Sequence, residues 1–290
     1  MPAPSLDHII LLLPHAHLTH PPAWLTANFT LTPGGRHADG RTENALIAFR
    51  DGTYIELIAF IDDSPAHRAG HWWGTAPYGL IDWALTSASA TDTAALNRRL
   101  ARDDPAAALG LRYAAPAAGG RTRPDGRELS WLVSFPVGVP RGAAPFFVHD
   151  VTPRGLRVPG GAAATTHPCG AVGIARVTQL VRRDGAAAYL AAYAAIADSR
   201  AEFGVEGAVL EIEAPVMEAG LGRARPRLAV ETAAPEDERG RLAKLDAAVS
   251  EIALVTDSSG VMWSRERIEN DESGGTAIVI NFLHARQTLQ

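Results

Sequence analysis

The sequence predicts an α+β fold built from repeated β-α-β-β-β modules. Residues 34–43 read GGRHADGRTE and residues 119–128 read GGRTRPDGRE, so one block recurs 85 residues later. Each block is followed by segments rich in apolar and β-branched residues. Each is preceded by a short apolar run and then a helix-compatible stretch, and these runs begin the two modules.

In chain order, LDHIILLL at 6–13 reads as a buried strand bounded by Pro4 and Pro14. His15, His17 and His20 follow in a loop that leads into a short helix over 22–28, with a strand at 29–32. The glycine-rich stretch from Gly34 reads as a basic loop. Glu43–Phe49 and Thr53–Phe60 are strands joined by Asp51-Gly52, a hairpin signal. Residues 62–79 form a connector holding His71, Trp72 and Trp73, which either close over a pocket or cap the core. The pattern restarts with the strand Leu80–Leu85 and a helix over 91–102. A weak strand at Leu111–Ala114, the second basic loop, and strands at Leu129–Phe135 and Pro145–Val151 complete it.

Residues 1–151 therefore read as paired modules, about 5–61 and 80–151, and 152–172 as a linker. Residues 173–290 form a third, partly degenerate module. In it Gly173–Val181 is a strand, Ala186–Ile196 a helix, and Ala208–Ala214 and Arg227–Thr232 further strands. Arg176 falls where His8 lay and Glu231 where Glu56 lay. Glu251–Thr256 and Thr276–Leu283 mark a vestigial fourth unit.

The chain has 290 residues, 47% hydrophobic and 20% charged, which is the composition of a globular protein with a large core. A net charge of −5 argues against nucleic acid as a partner. The single cysteine, Cys169, excludes an internal disulfide. The run Ile9–Leu13 is too short to span a bilayer and lacks a basic leader, so a cytoplasmic protein without a membrane partner is expected.

The opening LDHI, the block GGRH…TENALIAF…YIELI and the later RPDGRELSW…PFF resemble the glyoxalase-like branch of the vicinal oxygen chelate superfamily. The resemblance covers about residues 5–181. It implies that the βαβββ modules form an open cup-shaped barrel, as in glyoxalase, bleomycin-resistance and extradiol-dioxygenase proteins, here with an additional third module. It also implies a divalent metal inside the cup, held by the first and last strands of each module. Matched positions are His8, Glu56 and His149, with Trp83 at the remaining one. Two imidazoles and a carboxylate suit Zn, Fe, Mn or Ni with open positions for substrate. The trio has a plainer reading, in which His8 and Glu56 form a buried hydrogen-bonded pair and a one-residue shift turns His149 away.

The expected function is small-molecule chemistry of lyase or isomerase type. The metal acts as a Lewis acid on a carbonyl or enediolate, with Asp150 or His37 as base. Two metal-free alternatives stand beside it: a binding protein with an aromatic pocket that includes Trp83 and Trp131, or an isomerase or cyclase using Glu56 and His149 as acid and base. Arg36 and Arg123 are the expected contacts for an anionic substrate, and Asn44 is placed to donate to a carbonyl. A homodimer is compatible with the third module.

Overall fold

The computed structural model describes residues 3–87, 89–90, 92–204, 207–216, 225–235, 242, 245–256, 265–268 and 278–284. The first module holds β1 (Ser5–Leu12), α1 (His15–Thr19), α2 (Ala23–Thr26), β2 (Thr32–His37), β3 (Thr42–Ala48) and β4 (Tyr54–Phe60). A connecting helix α3 (Pro65–Arg68) leads to the second module. That module holds β5 (Gly79–Thr86), α4 (Asp92–Leu100), α5 (Asp104–Ala107), β6 (Arg112–Tyr113), β7 (Ala117–Thr122), β8 (Glu128–Ser134), β9 (Pro136–Val137) and β10 (Phe146–Asp150).

Eight strands close into a barrel in the order β1-β4-β3-β2-β7-β8-β10-β5. The two halves join where β1 meets β5 and where β2 meets β7, both antiparallel. Closure removes the free edges that an open sheet would leave unpaired. Alternation along β1 sorts its side chains between two cores. Ile10 and Leu12 join Ile58, Phe60, Ala84, Phe146 and Val148 in one cluster. Leu6, Ile9 and Leu11 join a larger cluster that extends to the helices and the second sheet.

Both GGR blocks start inside strands, β2 and β7, rather than in loops. What turns is the Asp-Gly pair within each: Gly40 (φ 69°) and Gly126 (φ 82°) adopt the left-handed conformation that favours glycine. Of the expected 29–32 strand, residues 29–31 precede β2 and Thr32 is the first residue of β2.

Residues 152–172 carry α6 (Arg154–Arg157) and α7 (Ala162–Thr165). Then come β11 (Ala171–Val181), α8 (Ala186–Ala197), β12 (Glu202–Gly204), β13 (Gly207–Glu211), β14 (Arg227–Thr232), β15 (Ala247–Thr256), β16 (Arg265–Ile268) and β17 (Ile278–His284). They form a seven-stranded sheet, β12-β13-β14-β11-β15-β17-β16. Its pairings repeat those of the barrel: β11 is parallel to β14 and antiparallel to β15, as β1 is to β4 and β5. Thr276 of the expected last strand lies outside the described residues.

The two halves are locked together by main chain and by helix α8. Asp51, in the turn between β3 and β4, takes hydrogen bonds at Oδ1 from Thr53 N and at Oδ2 from Ile174 N. Tyr193 on α8 packs edge-on against Trp83 and donates from its hydroxyl to Ala143 O at 2.6 Å. No helix among the described residues is long and apolar enough to cross a membrane.

Candidate active site

The even positions of β1 and β4 put His8, Tyr54 and Glu56 on the inner wall of the barrel. His8 is in register with Tyr54, and Glu56 with Ile10. They border a cavity of about 180 Å³. On β3 and β2, Asn44 and His37 reach the same point. Glu56 is the hub. Its Oε1 accepts from Asn44 Nδ2 at 2.5 Å and lies 3.3 Å from His37 Nε2, while its Oε2 lies 3.4 Å from His8 Nε2. The carboxylate therefore sits between two imidazoles, each meeting a different oxygen.

Both rings are held from behind. His8 Nδ1 is 2.6 Å from Asp7 Oδ1, and His37 Nδ1 is 2.8 Å from Thr42 Oγ1. Tyr54 stacks on His8 with ring centroids 4.5 Å apart. Burial favours neutral groups here, but the neighbours outweigh it. Against that cost, hydrogen bonds from His37 and His8 hold the Glu56 carboxyl well below the usual range. Likewise, despite burial, Asp7 and Glu56 raise the His8 pKa above its ordinary value.

A second layer comes from the segment expected to be a linker. Arg157 donates to Asp7 through Nη1 and Nη2, to Asp150 through Nε and Nη2, and to the Tyr54 hydroxyl at 2.7 Å. Arg154 also pairs with Asp7 and donates to Gly52 O at 2.8 Å. Arg121, from β7, donates to Asn44 Oδ1 at 2.8 Å and to Arg157 O at 3.0 Å. It lines the cavity, and among the described residues it has no carboxylate within ion-pair distance. The opposite wall is aromatic: Trp72, Trp73, Trp131, Phe135 and Phe146 face the cavity.

Of the expected site residues, the structure brings His8, Glu56, His37, Asn44 and Trp131 together around this cavity. The others lie elsewhere. His149 points out of the barrel, stacked on Phe147 and beside Ser87, because its inward neighbours on β10 are Phe146 and Val148. Asp150 is spent on Arg157. Arg36 is exposed on β2, and Arg123 donates to Leu156 O and pairs with Asp125. Trp83 faces α8 outside the barrel.

The register also corrects which residue mirrors His8. One extra residue, Asp7, bulges from β1 between the pairs Leu6–Leu85 and His8–Ala84; one, Ile81, bulges from β5 between Ile10–Asp82 and Leu11–Leu80. Superposing the two bulges makes Asp82, not Trp83, the equivalent of His8. It makes Ala84 the equivalent of Ile10. Phe146, which pairs with Ala84 as Glu56 pairs with Ile10, is then the equivalent of Glu56. The same matching in the second sheet keeps Arg176 at the His8 position, but sets Ala229 rather than Glu231 at the Glu56 position.

These four positions test the implied metal. Phe146 offers no donor atom. Asp82 is committed to Arg141 Nη2 at 2.5 Å and Trp73 Nε1 at 2.8 Å. His8 and His37 address opposite oxygens of Glu56 rather than a shared point. Among the described residues, no three His, Cys, Asp or Glu side chains converge to hold a metal ion. The residues present do not fit a divalent ion held by both modules.

Arg121, Arg157, Tyr54 and Asp7 escape sequence reasoning. Arg121 lies in a quoted motif, and its signal is strand parity once the block is read as β7. Arg157 has no local signal, since its partners are contributed by strands far away in sequence.

The family model described as the glyoxalase-like domain matches residues 6–196. No curated protein matches the chain. Among solved structures, a hypothetical protein from Staphylococcus aureus superposes with a TM-score of 0.64 at 13% identity, covering 96% of this chain and 98% of that one. A mutant of 4-hydroxymandelate synthase from Streptomyces coelicolor gives 0.53 at 11% identity, covering 98% and 93%. The Mn(II)-bound glyoxalase from Novosphingobium aromaticivorans gives 0.46 at 12% identity, covering 97% and 82%. The first two likenesses are of fold, and the family match spans well over half the sequence. The chain belongs to the glyoxalase-like domain family.

Proposed function

We propose that the cup is a small-molecule active site that moves a proton on a carbonyl-bearing substrate without a metal ion. The observation that carries this reading is the Glu56 hub: one buried carboxylate between two oriented imidazoles, bordering a half-aromatic cavity. The chemistry is of isomerase or lyase type. A substrate carbonyl oxygen takes a hydrogen bond from His8 Nε2–H, which makes the adjacent carbon more acidic. Glu56 then accepts the proton from that carbon. Substrate entry between His8 and Glu56 weakens one of the contacts that keep Glu56 ionised, so the carboxylate becomes a stronger base on binding. His37, held by Thr42, stands at the other oxygen and can pass the proton on.

Arg121 supports an anionic substrate. A guanidinium at a cavity wall, with no carboxylate within ion-pair distance among the described residues, favours a ligand that brings one. Trp131 and its aromatic neighbours suit a flat apolar body. The metal-assisted alternative is not adopted, because of the donor set at the four positions.

The test is solvent exchange. Small carbonyl compounds, with and without a carboxylate, are incubated with the protein in D2O and followed by proton NMR. Deuterium wash-in at the carbon next to the carbonyl is expected, unchanged by EDTA and lost in Glu56→Gln. Ligand binding with no exchange in any compound would leave a binding protein instead. Exchange abolished by EDTA would return the chemistry to a metal.

A further inference from the structure

The half-site in the second module is polar, buried and unused by the proton-transfer scheme. Asp82 is fully buried on β5, at the position equivalent to His8. Its Oδ1 accepts from Trp83 N at 2.9 Å, and its Oδ2 accepts from Trp73 Nε1 and Arg141 Nη2. Asp82 and Glu56 both stand in register with Ile10, on either side of β1. Glu56 already has His8 and His37 against its two oxygens, so Asp82 is the acid of this pair that needs a counter-charge of its own.

The Arg141 guanidinium lies 4.4 Å over the ring centroid of Phe135 and 5.3 Å over that of Phe146, so aromatic faces supply the rest of its shell. The loop that carries it is fixed from three sides. Gly142 (φ 83°) packs so closely that a Cβ there would meet Ile81 O at 2.4 Å. Gln179 Nε2 donates to Gly142 O at 3.2 Å, and Tyr193 donates to Ala143 O. Both of these anchors come from the second half of the chain. That half shows a related arrangement: Arg176 stands at the His8 position, Glu251 at the Asp82 position, and the two form an ion pair of 3.0 Å.

We propose that Arg141 is a resident cation, whose guanidinium fills the second-module half-site that would otherwise be open to a divalent ion, and whose stacking holds Phe146 as the apolar wall opposite Glu56. An arginine is then the structural counter-charge of Asp82, and the second half of the chain delivers it. This is independent of proton transfer at Glu56 and can stand or fall without it.

The experiment compares Arg141→Met, Asp82→Asn and the double variant in the full chain, by thermal unfolding with and without millimolar Mn(II). Arg141→Met leaves a buried carboxylate uncompensated, and its Tm is expected to fall by about 6 °C or more. The double variant is expected to recover at least half of that loss, because both charges are gone. Mn(II) is expected to raise the Tm of Arg141→Met and to leave that of the wild type and of the double variant unchanged. Losses that simply add in the double variant would overturn the proposal, as would an Arg141→Met protein indifferent to Mn(II). So would stoichiometric Mn(II) binding by the wild type in calorimetry that disappears in Asp82→Asn. Should Arg141→Met fail to fold, Arg141→Lys is expected to fold and to remain indifferent to Mn(II), and a Mn(II) response in it would equally overturn the proposal.

Discussion

Arg157 and Asp7, 150 residues apart in sequence, meet inside the barrel through two guanidinium–carboxylate contacts of 3.0 Å. The same Asp7 oxygen that takes Arg157 Nη1 also takes His8 Nδ1 at 2.6 Å. The ring of His8 is therefore aimed by a residue that reaches it from beyond β10. The fully buried Asp7 is tolerable only because Arg157 and Arg154 neutralise it.

Removing that guanidinium should be costly. Arg157→Met is expected to lose about 3–5 kcal/mol of stability in urea unfolding, because Asp7 and Asp150 keep their charges without their partner. Adding Asp7→Asn should recover part of the loss. Equal stability of wild type and Arg157→Met would show that the pair has no structural role.

Gly34 connects the chain's most quotable motif to the site. A Cβ at this position would meet Asn44 Oδ1 at 1.9 Å and Arg121 Nη1 at 2.5 Å. Gly34→Ala is therefore expected to break the Arg121–Asn44–Glu56 chain of hydrogen bonds, at a cost of about 1–3 kcal/mol. Deuterium wash-in should fall at least tenfold while the far-ultraviolet circular dichroism stays that of the wild type. Unchanged exchange in a folded Gly34→Ala protein would detach this chain from the chemistry.

His149→Ala is the control that orientation demands. The ring lies against Phe147 and Ser87, outside the cavity. Exchange rates are expected to stay within about twofold of wild type. A tenfold loss with stability intact would bring His149 back into the acid–base scheme.

His71 sets a pH signature for the loop over the cavity. It is buried, packed at a 34° tilt against the Trp72 ring, and 3.5 Å from Asp39 Oδ2. Burial lowers its pKa from 6.5 to about 4, against the opposing pull of Asp39. Between those values the unfolded chain binds the proton and the folded one does not. Stability should thus fall as pH drops from 6.5 toward 4, by at most about 1.4 kcal/mol per unit from this group. Asp7 and Glu56, held below their ordinary values, lose their contributions only at lower pH. The difference in Tm between wild type and His71→Leu, followed from pH 7 to 4.5, isolates the effect; a constant difference would refute it.

How much of this could be read in advance divides by range. The duplication, the Asp-Gly turns and the alternation around His8 and Glu56 are local signals, and they place the first half of the site. Orientation on β10 is a parity question. His149 and Val148 differ by one residue, and only pairing with β5 and β8 decides which points inward. The equivalence of Asp82 with His8 needed the two bulges, which shift the count by one and cannot be seen in LDHIIL or LIDWAL. Arg154 and Arg157 were hidden because a proline- and glycine-rich stretch resembles a tether, and nothing in it announces the buried acids it serves.

That last feature fixes where the molecule can be cut. A fragment ending at Val151 would contain every strand of the barrel and still leave Asp7 and Asp150 as two interior acids facing each other across an empty slot. The polypeptide must continue through Arg157. It must in fact go further, since His167 sits between Phe29 and Phe49 and Cys169 N bonds to Asn28 O at 3.2 Å. The eight strands alone therefore do not complete the cup: the segment after β10 supplies the counter-charges of its buried acids and packs on its first module.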